Sequence, residues 1–199
     1  MSTDRVFGAY TRRATEYIEV LGSIDRAAQQ DRDYLLSWAD SVDGLILDVG
    51  CGPGQWTNYL REAGVTVEGV EPVEAFVDDA RVRYPQASYR VGRAEQLDVA
   101  DESLGGVLAW FSLIHTPPEE LEAPLVEFAR CVRRGGSVAL GFFEGAAGES
   151  FDHAVTTAYL WTVDALTVRL ERAGFVVSDA RTRQDAGVRR QGVIVACRV

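Results

Sequence analysis

The sequence predicts an α/β fold: a three-layer sandwich with a seven-stranded, mostly parallel sheet and an antiparallel strand hairpin at its C-terminal end. Three observations carry that expectation. Short apolar runs alternate with amphipathic helical stretches, the pattern of a parallel sheet covered on both faces. The first of these runs leads straight into a cluster of glycines. The last two runs are joined by a short polar connection with no helix between them, so they pair antiparallel.

Taken in order, residues 10–42 read mainly helical, with Leu35, Trp38 and Val42 on one face. Residues 45–49 form the first strand. A helix over 55–63 follows, and Gly64 suits its left-handed C-terminal cap. A strand over 65–70, a helix over 73–84 stopped by Pro85, and a strand over 89–91 come next. The fourth strand is 107–111. The helix after it places Leu121, Leu125, Phe128 and Val132 on one stripe and ends at Gly135 and Gly136. The fifth strand is 138–143. A helix over 162–173 turns Val163, Leu166 and Leu170 inward and is capped by Gly174; strands over 175–180 and 193–199 complete the sheet. No repeat or low-complexity linker interrupts the pattern, which implies one domain over 1–199, with a helical segment 1–42 ahead of a core 43–199.

Composition narrows the function. The chain has 199 residues, 47% hydrophobic and 25% charged, with a net charge of −10, so it lacks the basic stripe a nucleic-acid binder needs. Its densest basic clusters, 181–190 and Arg133-Arg134, are interrupted or short, and every basic residue is arginine. No apolar run approaches the roughly 20 residues that span a bilayer, and the polar first ten residues do not suggest export. Cys51, Cys131 and Cys197 are odd in number and scattered. That argues against a disulfide framework or a zinc site and fits a reducing, cytoplasmic setting. No metal is expected, since no carboxylate cluster stands beside the two histidines.

The densest chemical signal is Asp48-Val49-Gly50-Cys51-Gly52-Pro53-Gly54, between a strand and a helix. Glycines there allow a tight turn and let a ligand approach the backbone. About 20 residues on, at the end of the next strand, Glu71 can accept hydrogen bonds from both hydroxyls of a ribose. Together they point to a nucleoside-bearing cofactor. The dinucleotide fingerprint G-x-G-x-x-G is not met, because Thr57 stands where its third glycine would fall.

From Leu45 to Val199 the chain resembles class I S-adenosylmethionine-dependent methyltransferases, through the glycine motif 47–57, Glu71 and the terminal hairpin. The resemblance implies that Gly50, Gly52 and Gly54 line the methionine part of the cofactor, with Cys51 in the same turn. Asp48 then acts on the methionine amine, and Glu71, followed by Pro72, holds the ribose. Gly92-Arg93-Ala94-Glu95-Gln96-Leu97 matches the adenine-binding stretch: Ala94 offers its amide and Glu95 lies nearby, while Arg93 replaces the usual acid. Trp110 and Phe111, at the end of the fourth strand, touch the methionine end. In similar proteins an N-terminal helical segment folds over the cofactor as a lid. Tyr10 and Tyr17, seven residues apart, then face inward, with Tyr10 near the sulfonium.

The implied reaction is transfer of the methyl group to a small, apolar or aromatic acceptor by in-line displacement, with S-adenosylhomocysteine as product. His115 is the histidine best placed to act as a general base, which is needed only if the acceptor is a hydroxyl or a protonated amine. His153, Phe143, Tyr159 and Trp161 join Tyr17 and His115 as candidate acceptor contacts. Two alternatives stand beside this expectation. One is a nicotinamide-dependent reductase, disfavoured by the missing glycine and the terminal hairpin. The other is a module that holds S-adenosylmethionine without using it, which Arg93 would favour. Neither nucleic acid nor membrane is an expected partner, and the chain is expected to act as a monomer or homodimer.

Overall fold

The computed structural model describes residues 3–199; Met1 and Ser2, part of the expected segment 1–42, lie outside the described residues. The N-terminal segment is helical, as expected, in three pieces: α1 (Thr3–Arg12), α2 (Ala14–Leu21) and α3 (Gln29–Asp40), with a 3₁₀ turn at Ile24–Arg26. Helix α2 ends at Gly22, whose N–H still bonds the Ile18 carbonyl at 2.9 Å. The core continues as β1 (Ile46–Val49), α4 (Gln55–Glu62), β2 (Val67–Glu71), α5 (Glu74–Arg83), β3 (Ser88–Val91) and β4 (Leu104–Trp110). Helix α6 (Glu122–Cys131) then leads directly into β5 (Val132–Glu144). Next come β6 (Ser150–Asp152), β7 (Thr157–Trp161), α7 (Val163–Arg172), β8 (Phe175–Arg183) and β9 (Gln191–Arg198).

Strands β3, β2, β1, β4 and β5 lie side by side in parallel, and β9 inserts antiparallel between β5 and β8. These seven are the expected sheet and its expected terminal hairpin. Among the described residues the strand count is nine, because β6 and β7 form a second small hairpin. That hairpin hangs on the end of β5 by only two paired positions, Phe143 with Leu160 and Glu144 with Trp161. Runs of three and five residues are too short for periodicity to separate them from a loop. Gly135 and Gly136 likewise do not end α6. Val132 already pairs with Leu104, and the glycines fall in an irregularity of the β4–β5 register.

Helices α3 and α4 cover one face of the sheet, packing Leu35, Trp38, Trp56 and Leu60 onto Ile46, Leu108 and Ala139. Helices α6 and α7 cover the other with Leu125, Phe128, Leu166 and Leu170 over Leu47, Val107 and Val138. The Trp38 indole N–H, buried under α3, donates to Ser137 Oγ at 2.8 Å. At the carboxyl ends of the strands, Ala14, Tyr10 and Tyr17 of α1–α2 and its junction pack on Val73 and Phe76. Among the described residues no helix is long and apolar enough to cross a membrane.

Candidate active site

The carboxyl ends of β1, β2, β4 and β5, roofed by α1 and α2, enclose a cavity of about 510 Å³. Its floor is the turn after β1. Gly50, Gly52 and Gly54 have φ of +74°, +53° and +80°, where side chains are strained. A Cβ on Gly50 would sit 2.3 Å from Ser112 Cβ, and one on Gly54 2.6 Å from the Tyr89 ring. At Gly52 the nearest atom is Tyr17 Cε1 at 3.9 Å, so this glycine leaves backbone open to the cavity. Gly54 lies outside the cavity wall and starts α4, its carbonyl accepting from the Tyr89 hydroxyl at 3.0 Å.

Two buried carboxylates flank that floor. Asp48 accepts from the Thr57 hydroxyl at 2.7 Å. Glu71 accepts the N–H of Gly52 at 3.0 Å and of Val73 at 2.9 Å. Loss of water around them outweighs these donors, so burial pushes each up to about 7. Ser112 Oγ and Gln55 Oε1, whose residues also line the cavity, are buried with no hydrogen-bond partner. Buried polar atoms without partners mark places where a polar ligand fits. Cys51, Pro72, Ala94 and Glu95 line the same end of the cavity. Arg93 stands behind it, its guanidinium carbon 4.9 Å from the centre of the Phe7 ring on α1.

The roof is tied to the segment after β4 by a hydrogen bond between the Tyr10 hydroxyl and His115 Nε2, 2.8 Å long. The other ring nitrogen of His115 lies 2.7 Å from the Thr157 carbonyl oxygen. Burial pushes His115 down to about 4 and Tyr17 up to about 12, and raises Tyr10 well above its ordinary value. Beyond His115 runs an aromatic wall. Trp110, Phe111, Phe143 and Phe151 follow one another at centroid distances of 5.0, 5.1 and 5.4 Å. His153 joins it 5.9 Å from Phe143 and 5.1 Å from His115. Phe111 is held at φ +53°, a strained conformation for an aromatic residue at the end of β4.

The structure thus gathers Tyr10, Tyr17, Asp48, Gly50, Gly52, Glu71, Trp110, Phe111, His115, Phe143 and His153 around one cavity. It leaves Tyr159 and Trp161 off the wall. Two apart on β7, they share a face, and Trp161 is buried in the core with the Arg169 guanidinium 4.4 Å over its ring. Asp31 on α3 and Arg183 on β8, which no motif points to, meet at the cavity rim although 152 positions apart. Phe7, Gln55, Trp56 and Ser112 also line the cavity; Gln55 and Trp56 fall within the glycine motif 47–57, but neither is among the expected contacts.

Residues 46–136 match a family model described as a methyltransferase domain. Over 129 residues the chain is 32% identical to the malonyl-acyl-carrier-protein O-methyltransferase of Serratia marcescens, covering 63% of this chain and 50% of that protein. The chain spans about half the length, or less, of several curated relatives it matches. Among solved structures it superposes on the 1,6-didemethyltoxoflavin-N1-methyltransferase of Burkholderia thailandensis, which holds its substrate and S-adenosylhomocysteine. The TM-score is 0.79 at 20% identity, over 100% of this chain and 91% of that one. It also superposes on the cyclase SpnF, with a TM-score of 0.80 at 17% identity, over 99% and 96% of the two chains. At these identities the likeness is one of fold.

Proposed function

We propose that the chain is a class I S-adenosylmethionine-dependent methyltransferase and that it transfers the methyl group of S-adenosylmethionine, in line, to a small planar acceptor. The observation that carries this reading is one cavity holding an open glycine backbone and Glu71 at one end and an aromatic wall at the other. When bound, S-adenosylmethionine supplies a methyl carbon on a positively charged sulfur, already reactive toward a lone pair. The protein's own task is then to position and to exclude water, which can be worth on the order of 7–11 kcal/mol in favourable cases.

Each wall residue has a part in that task. Glu71, with both oxygens anchored by backbone N–H groups, keeps lone pairs for ribose hydroxyls. Asp48 faces the methionine amine, directly or through water, and Gly50, Cys51, Gly52 and Pro72 shape the turn around it. The Ala94 amide and Glu95 meet the adenine. Arg93 and Gly54 act from behind, one through Phe7 and the other through Tyr89. Trp110, Phe111 and Tyr10 close around the sulfonium, where ring faces favour a cation. Tyr17, Phe143, His115 and His153 surround the acceptor, with Tyr159 and Trp161 backing them on β7.

Calorimetric titration with S-adenosylmethionine, with NADH and NADPH as controls, tests the proposal. Micromolar binding of the first alone, lost in Glu71→Ala, is the expected result. Preference for a nicotinamide cofactor would sink it.

A further inference from the structure

We propose that the acceptor is the anionic carboxylate of a planar acid, seated against Phe143 and His153 and methylated on oxygen; this deepens the methyltransferase reading and rests on it. The chemistry follows from where the protons of the two histidines sit. A carbonyl oxygen only accepts, so His115 Nδ1, 2.7 Å from the Thr157 carbonyl, carries the ring proton. Its Nε2 is therefore bare, and the Tyr10 hydroxyl donates to it. At His153 the arrangement is reversed. The Val155 N–H donates to Nδ1 over a longer 3.5 Å, which leaves the proton of the neutral ring on Nε2. Burial keeps both rings neutral, pushing His115 down to about 4 and lowering His153.

Neither histidine therefore offers a free lone pair. The acids near this end are also engaged: Asp31 and Asp185 by Arg183, Glu144 by Arg190 and Glu16 by Arg13. Asp48 accepts from Thr57, and Glu71 from the N–H groups of Gly52 and Val73, so both belong to the cofactor's turn. An alcohol, a phenol or an alkylammonium would have to lose a proton here, and among the described residues that line this part of the cavity none is placed to take it. A carboxylate arrives with its lone pair free.

The charges select the same acceptor. Arg189, on the connection between β8 and β9, lies 3.9 Å over the Phe151 ring and makes no ion pair among the described residues. Phe151 in turn touches Phe143 and His153, at 5.4 and 6.2 Å. An N–H donor on His153 and an unneutralised guanidinium thus border an aromatic wall, which suits an aromatic body carrying an anion. In the transfer, a carboxylate electron pair forms the new O–C bond, the C–S pair returns to sulfur, and no proton moves.

The test uses three probes with one ring system, naphthalene-2-carboxylate, 2-naphthol and 2-naphthylmethylamine, titrated into protein saturated with S-adenosylhomocysteine. The carboxylate should bind about tenfold more tightly than either of the others. His153→Phe and Arg189→Glu should each erase that preference. Nitrogen-15 spectra of the histidines at neutral pH should show the Nδ1–H tautomer for His115 and the Nε2–H tautomer for His153, whose signal moves on adding the carboxylate. Equal or tighter binding of the naphthol or amine, no binding of the carboxylate, or a bare His153 Nε2 would overturn the proposal. The prior S-adenosylhomocysteine titration reports separately on the methyltransferase reading.

Discussion

Asp48 and Glu71 are carboxyl groups that burial holds far from their ordinary behaviour. Both are held near 7 in the fold, against ordinary values of 3.8 and 4.5. A carboxyl whose folded value is raised stabilises the protein in its protonated form, and that stability is lost as pH rises through the folded value. His115 works the other way: lowered from 6.5 to about 4, it favours the fold above its unfolded value and loses that contribution as pH falls toward 4. The two effects oppose each other below 6.5, and only the carboxylates act above it. Asp48→Asn should therefore melt higher than the wild type, by a margin that grows from pH 5 to pH 8 in scanning calorimetry. A constant margin would argue against an ionising Asp48. For Glu71 the same shift governs the ligand, since hydroxyl groups are bound by the ionised form. S-adenosylmethionine affinity should rise as pH climbs through about 7 and level off above it, and calorimetry across that range checks the slope.

At the scale of the element, the turn after β1 separates backbone strain from steric exclusion. Gly50 and Gly64 both have positive φ, +74° and +94°. At Gly64 an added Cβ meets nothing within 4 Å, whereas at Gly50 it runs into Ser112. Gly64→Ala should cost only the conformational penalty, about 1–2 kcal/mol. Gly50→Ala should cost about 2–4 kcal/mol and disturb the β4 end where Ser112 and Phe111 sit. Urea unfolding of the two variants gives the comparison directly; equal losses would mean that β4 yields easily. The roof helices make a second expectation. Helix α1 reaches the core through Tyr10 and through Phe7 under Arg93. Backbone amides of α1 and α2 should exchange quickly in the empty protein and slow when S-adenosylhomocysteine fills the cavity, while those of β1 and β4 stay protected throughout.

Across the whole molecule, what could be read in advance was what local chemistry dictates. The strand before Gly50, the helix cap at Gly64, the stripe from Leu121 to Phe128 and the terminal hairpin all follow from periodicity and turn residues within a dozen positions. Glu71 was legible because its distance from the glycine turn is set by one strand and one helix. The β6–β7 hairpin was not, being too short to show a period and held by tertiary pairing with β5. The Asp31–Arg183 ion pair was invisible for a different reason, since its partners belong to segments that only the closed sheet brings together. Tyr159 and Trp161 were named for their aromatic character alone, and strand alternation, which turns both to one face, decides where they point.

Strand β5 pairs with β4 on one side and with β9 on the other, with β7 attached at its end. The order of events during synthesis follows from that arrangement. A nascent chain can lay down β1 to β5 early, but the seam beside β5 stays open until residues 191–198 have emerged to fill it. Over that interval a long apolar edge, including Val138, Leu140 and Phe142, is exposed to any other strand it meets. Closure between partners as far apart as Ser137 and Cys197 is slow compared with the helices forming around it. Ribosome stalling short of residue 191 would thus release a species prone to cross-strand aggregation, and the yield of native protein depends on how promptly the last strand arrives.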